Sequence, residues 1–236
     1  MTKNDSKTSL LPRGISTGDR IRAHAAIILA KALKTGLRIV GRAGTALPGK
    51  SALKLQPKLL PLLTSNRLVY LVTGTNGKTT TVRILCTILE DQGYSVITNP
   101  SGANLDSGLT TTLIDNSRLL KNTPDSRLAI VLEIDEAFFA KLAGSLNPTV
   151  IVVTNFFRDQ LDRYGELQHT RDLIAKGLDQ TTAQLMLCAD DSLCASLARG
   201  REDRSHFFGM DTSAMQPGQA DGVLESGFCT FCGSRY

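Results

Sequence analysis

At 236 residues, with 42% hydrophobic and 21% charged residues, the chain can bury a sizeable core and lacks the composition of a disordered polymer. Five cysteines, an odd number, and a polar start with no apolar run before a small-residue cleavage site argue against a secreted disulfide scaffold. The net charge of +5 is unevenly placed: residues 1–67 hold 13 Lys/Arg against Asp5 and Asp19, and the remainder holds 14 basic against 20 acidic residues. A basic arm on an acidic body suits an anionic surface, either membrane headgroups or nucleic acid, and solvated helix faces give the same pattern. No recognised nucleic-acid motif accompanies it, so nucleic acid is not expected, and peripheral membrane contact and solvated helix faces both stay open.

In chain order, residues 21–40 read as an amphipathic helix. Lys31, Lys34 and Arg38 share one side, opposed by Ile21, Ala25, Ile28, Leu29, Ala32 and Gly36. Its charges exclude a membrane span. The apolar side is expected to dock on the protein's own core, with a membrane surface as the alternative. Gly44, Pro48 and Gly49 then act as breakers, and a short segment lies between Pro57 and Pro61.

Near residue 66 the pattern changes. Residues 68–73 read as a buried strand. Residues 78–92 read as a helix with Val82, Leu85, Cys86 and Leu89 on one face and Gly93 as its stop. Further strands are expected at 94–98, 128–134, 149–154, 184–188 and 206–208, and helices at 136–146, 166–178 and 191–199. Apolar strands alternating with helices predict an α/β fold: a mostly parallel sheet with helices on both faces. The expected division is a basic helical segment over 1–65 and a sheet domain over 66–236. Ligands of such sheets bind beyond the carboxyl ends of the strands.

Three strand ends carry candidate chemistry. After the first comes Gly74-Thr75-Asn76-Gly77-Lys78-Thr79-Thr80, leading into a helix. Glycines let the backbone curl its N–H groups around phosphate oxygens, and the helix N-terminus adds positive potential. Lys78 can reach the terminal phosphates, and the Thr79 hydroxyl can ligate Mg²⁺. The general P-loop pattern has a further glycine where this chain has Val72. The second is Glu133, with Asp135 and Glu136 beside it. A carboxylate leaving a parallel strand next to a P-loop suits a Mg²⁺ ligand. Asp135 can share its face or simply cap the next helix. The third is the polar run from Thr154 to Gly165, where Asn155, Asp159 and Asp162 can face a nucleotide–metal centre or serve as surface caps.

The Gly74–Thr80 segment, the Thr154-Asn155 pair with Asp159-Gln160-Leu161-Asp162, and the strand end at Glu133 together resemble the Mur ligase family, whose P-loops also lack the early glycine. Within it, the chain is similar to MurT-type subunits in four segments: 44–50, 102–104, 158–166 and 229–233. The resemblance covers about residues 20–236 and implies the family's central ATP-binding domain. It implies that Gly74, Thr75, Asn76, Gly77, Lys78, Thr79, Thr80 and Asn155 bind ATP. Lys78 and Glu133 would serve catalysis, and Thr79 and Glu133 would hold Mg²⁺. It also implies the reaction: ATP activates the D-glutamate α-carboxylate of lipid II as an acyl phosphate. Ammonia from a GatD-type glutaminase partner then gives D-isoglutamine, at the cytoplasmic side of the membrane.

Gln160 stands where amino-acid-adding members of the family place a metal-binding His. Lys176 is not assigned the role of the family's carbamoylated lysine. Cys229-x-x-Cys232 has the form of half a zinc ribbon; a closed Zn²⁺ site needs four ligands, and the resemblance leads one to expect a second cysteine pair and a carboxy-terminal domain beyond residue 236. An amino-acid-adding or folylpolyglutamate-type ligase would share the P-loop, and a non-catalytic ATP-binding fragment would also share it. Cys86, Cys188 and Cys194, among apolar neighbours, are expected in the core.

Overall fold

The computed structural model describes residues 9–12, 14–39, 41, 46–100, 102–156 and 164–210. Among them, six parallel strands form one sheet in the order β2-β3-β1-β4-β5-β6. They are β1 (Leu68–Thr73), β2 (Ser95–Thr98), β3 (Leu128–Glu133), β4 (Val150–Val153), β5 (Gln184–Cys188) and β6 (Ser205–Phe208). The first strand lies centrally. It pairs with β3 on one side and β4 on the other, and the connection leaving β1 runs toward edge strand β2 whereas those leaving β3 and β4 run the opposite way, so neighbouring connections reverse direction beside β1. A crevice opens at such a reversal, and ligands bind there.

Alternation along the strands separates two cores. Val69 and Leu71 of β1 face a large cluster with Ile130, Leu132, Ile151, Val153, Leu185 and Leu187. Helices α1 (Thr17–Ile39), α2 (Ala46–Leu55), α3 (Leu59–Thr64), α5 (Asp106–Asp115), α6 (Ser117–Asn122), α7 (Glu136–Leu146), α8 (Tyr164–Leu178) and α9 (Ser192–Ala195) contribute to this side. On the opposite face Val72, Val131 and Val152 meet Val82 of α4 (Lys78–Asp91), with Leu85, Cys86 and Leu89 packed half-buried. Helices therefore sit on both faces, unequally. Cys194 is buried, whereas Cys86 and Cys188 are only half-buried.

Local chemistry sets the helix ends. Asp135 caps α7 by accepting from the Ala137 N–H at 3.0 Å, and Asn147 ends it at φ 45° before Pro148. Asp191 caps α9, accepting from Leu193 and Cys194 N–H, and also takes the Phe156 N–H at 2.5 Å.

Three sequence expectations need correction. The face of α1 that docks on the core is Ala23, Ala26, Ile27 and Ala30, whereas Ile21, Ala25, Ile28, Leu29, Ala32 and Gly36 are exposed. Small side chains let the helix axis approach its neighbours, and close approach outweighed side-chain size. Lys31 and Lys34 reach along the surface to Ser117 Oγ (2.6 Å) and Asp115 on the neighbouring helices. Second, Pro48 and Gly49 do not break the chain but lie inside α2. Pro48 falls in the first turn, where no intrahelical N–H is needed. Gly49 permits contact with α5: a Cβ there would lie 1.9 Å from Ser107 O, and its N–H donates to Thr111 Oγ1. Helices α5 and α6 were not expected, and the expected helix over 191–199 is a four-residue α9 followed by a 3₁₀ turn at Ser196–Ala198.

Candidate nucleotide-binding site

The loop between β1 and α4 is shaped by two glycines with positive φ. Gly74 has φ +117°, and a Cβ there would lie 2.4 Å from Thr154 Oγ1 and 2.9 Å from Asn155 O. Gly77 has φ +81° and open space around it, so only its backbone conformation requires glycine. Gly77 is also the N-cap residue of α4, which points the helix N-terminus at the loop.

Asn155, just beyond β4, clips the loop in place. Its carbonyl accepts from Thr75 N–H at 2.8 Å, its Oδ1 accepts from Asn76 N–H at 3.0 Å, and its Nδ2 donates to Asn76 O at 3.3 Å. Lys78 folds back over the same loop. Its ammonium donates to Gly74 O (2.5 Å), Thr75 O (3.0 Å) and Glu136 Oε1 (3.1 Å). All three of its donors are thereby engaged. The adjacent Thr79 hydroxyl donates to Glu133 Oε2 at 2.8 Å. Thr80 follows as an exposed residue in the first turn of α4.

Glu133 is 6% exposed and ends β3, opposite Val72 in the β1–β3 register. Its backbone is bracketed by Asn99. The Glu133 N–H donates to Asn99 Oδ1 at 2.9 Å, and Asn99 Nδ2 donates back to Glu133 O at 3.0 Å and to Ala103 O at 3.1 Å. Asn99 was not singled out from the sequence, although it is the first polar residue past β2, at the same edge of the sheet as Glu133. Glu136, noticed only as a neighbour of Glu133, is the ion-pair partner of Lys78, with side chains 17% and 15% exposed.

The structure thus brings Gly74, Thr75, Asn76, Gly77, Lys78, Thr79, Glu133 and Asn155 together at the carboxyl edge of the sheet. Asp135 is an N-cap and not a partner of Glu133. Lys176 lies in the last turn of α8, exposed, after that helix has returned toward the edge where β5 begins. Asp159, Gln160, Asp162, Cys229 and Cys232 lie outside the described residues. Among the described residues, no group of three or more His, Cys, Asp or Glu side chains is placed to hold a metal. The Thr79 hydroxyl and Glu133 carboxylate fit Mg²⁺ instead. They are two hard oxygen donors side by side, and Mg²⁺ in nucleotide sites takes one or two protein oxygens plus phosphates and water.

Residues 72–228 match the family described as the Mur ligase middle domain. The chain belongs to the Mur ligase family. It is 34% identical over 215 residues to the Staphylococcus aureus (strain COL) protein named lipid II isoglutaminyl synthase (glutamine-hydrolyzing) subunit MurT, covering 90% of this chain and 47% of that protein. The Streptococcus pneumoniae (strain ATCC BAA-255 / R6) protein of the same name is 39% identical over 151 residues, covering 64% of this chain and 33% of that protein. The chain therefore spans half or less of the length of these curated relatives. Among solved Mur ligases, MurF from Acinetobacter baumannii superposes with a TM-score of 0.52 at 16% identity, over 71% of this chain and 35% of that one. That likeness concerns the fold alone and agrees with the parallel sheet described above.

Proposed function

We propose that this chain is the ATP-binding portion of a MurT-type subunit, which activates the α-carboxylate of D-glutamate in lipid II for amidation by ammonia from a glutaminase partner. One observation carries the ATP reading: Thr79 Oγ and Glu133 Oε2 stand 2.8 Å apart at the mouth of a glycine-shaped loop that also holds Lys78. The narrower substrate reading is supported by the 34% and 39% identities to MurT subunits.

In this reading the nucleotide's phosphates lie along the loop at residues 74–79. Lys78 swings from Gly74 O, Thr75 O and Glu136 to the terminal phosphates, where its charge opposes the charge that develops during transfer. Thr79 and Glu133 would hold Mg²⁺, which would screen the charge of the phosphate oxygens. Asn99 fixes the Glu133 backbone, and Asn155 fixes the loop, so neither the carboxylate nor the loop N–H groups have to search for their places. Phosphorylation turns the carboxylate hydroxide, a poor leaving group, into phosphate; ammonia then adds to the carbonyl carbon and phosphate departs.

The test is titration of the intact protein with ATP and Mg²⁺, followed by amidation of lipid II with the glutaminase present. Lys78→Ala is expected to weaken ATP binding by at least about tenfold, the loss of one charge-assisted contact or more. Unchanged affinity overturns the ATP site. ATP turnover driven by an added amino acid in place of ammonia overturns the amidation reading and favours an amino-acid-adding ligase.

A further inference from the structure

The α1 face that its apolar pattern would bury is the one the fold leaves outside. Ile21, Ile28 and Ile39 are 65%, 68% and 81% exposed, and Ala25 and Ala32 are exposed between them. At 3.6 residues per turn these five positions fall within an arc of about 60°. Arg20 and Arg38 lie along one border of the stripe, and Arg22 and the 41%-exposed Leu29 along the other. The three arginines are exposed. Asp19 is the only acidic residue of α1, and its carboxylate is engaged by Ser16 and by Gln56 Nε2 at 3.1 Å.

We infer that α1 lies lengthwise on an anionic lipid surface. Ile21, Ile28 and Ile39 enter the boundary between headgroups and acyl chains, and Arg20, Arg22 and Arg38 sit level with the lipid phosphates. This pattern of an apolar stripe bordered by cations is that of a helix lying in the plane of a membrane interface. Charge favours the same partner, because residues 1–67 carry 13 Lys/Arg against two acidic residues. No described helix is long and apolar enough to cross a membrane.

A second protein surface fits the stripe less well. The 23 residues of α1 extend about 34 Å, and a stripe about 10 Å wide offers about 350 Å². A stable pairing of two proteins takes about 800 Å² from each. A bilayer needs no matching pocket and accepts a convex helix. The opposite face of α1 is held by Ala23, Ala26, Ile27 and Ala30 in the core, so the stripe is presented ready-formed, without the ordering cost of folding on contact. None of these observations involves the nucleotide loop, so failure of the ATP reading would leave this one standing.

The test is sedimentation of the full chain with phosphatidylcholine vesicles, with and without phosphatidylglycerol, at low and high salt. The wild type is expected to pellet with the anionic vesicles at low salt and to be released by high salt. The triple variant I21S/I28S/I39S is expected to partition at least about tenfold less, with its circular dichroism unchanged because the three side chains are exposed. A second variant, R20E/R22E/R38E, is expected to lose the preference for phosphatidylglycerol. The chain contains no tryptophan, so Ile28→Trp supplies a reporter whose emission should shift to the blue on adding anionic vesicles. Equal partition of the wild type and the triple serine variant overturns the proposal. So does a wild-type dimer that the serine variant converts to monomer, which would assign the stripe to a second copy.

Discussion

Asn155 and Asn76 exchange two hydrogen bonds across the gap between β4 and the loop after β1, at 3.0 and 3.3 Å. The contact joins positions 79 residues apart and holds the loop from a strand that the sheet has already fixed. Asn155→Ala removes both bonds and leaves the Asn155 carbonyl to Thr75 intact. The expected result is roughly tenfold weaker ATP binding, from loss of about 1–2 kcal/mol of loop ordering. The thermal midpoint should barely move, since the contact is solvent-exposed. Calorimetric titration and a melting curve measure both; unaltered affinity would remove Asn155 from the site.

Glu133 is expected to act through the metal. In Glu133→Gln the carboxamide can still accept from Thr79, so the loop should keep its shape while losing the negative charge. Binding of ATP measured with Mg²⁺ should weaken by about tenfold or more, and binding measured in chelator should stay near wild type. A variant weakened equally under both conditions would mean that Glu133 supports the fold and not the ion.

Arg67 has a structural role at the start of β1. Its guanidinium is buried, donating to Leu63 O (2.6 Å), Ser9 O (3.2 Å) and Leu120 O (3.2 Å), with Asp125 3.3 Å from Nε. Burial pulls its pKa down and Asp125 partly restores it. Arg67→Ala would leave two buried carbonyls without donors and should cost about 3 kcal/mol. Urea unfolding should show this as a lower midpoint at unchanged slope. A loss under about 0.5 kcal/mol, ordinary for a surface position, would contradict the assignment.

Alkaline pH should weaken the fold through its thiols. Burial pushes the Cys194 thiol well above its ordinary range, and pushes Cys86 and Cys188 up as well. The unfolded chain releases these protons from about pH 8.5, and the folded chain holds them. The stabilisation is therefore complete below about pH 8.5 and declines as pH rises toward the folded values. Tyr70, also raised by burial, adds to the decline only near its own higher range. Cys194→Ser should flatten part of the fall in denaturation midpoint between about pH 8.5 and 10. An identical slope in the variant would mean that other groups govern the alkaline limb.

The strands at 68–73, 128–134 and 184–188 were legible because continuous apolar runs leave few alternatives, and Glu133 stood out as the charge that ends one of them. The loop at 74–79 was legible because its glycines and Lys-Thr pair answer a single geometric demand. The face of α1 was not, because the pattern reports which side chains are apolar and not which are small enough for another helix to approach. Pro48 and Gly49 looked like breaks for a related reason: the value of Gly49 lies in Ser107, 58 residues along the chain, and nothing local signals it. Helix α5 was hidden by its run of threonines, weak helix formers whose hydroxyls here bond back to carbonyls four residues earlier at Thr110, Thr111 and Thr112, and the six residues of α6 are too few for a period to show. Asn99 and Glu136 act through partners on other elements, Glu133 and Lys78, so only the sheet order reveals them.

The engagement of Lys78 by Glu136 has an energetic consequence for any visitor to the loop. All three ammonium donors already have protein acceptors, so an incoming anion must outcompete a resident carboxylate and two carbonyls instead of filling a void. A weak or singly charged anion gains little by that exchange, whereas a polyanion delivering several negative oxygens at once gains much. In the proposed ATP reading, Glu136 would set a threshold that small anions do not pass and the charge density at the end of a phosphate chain does.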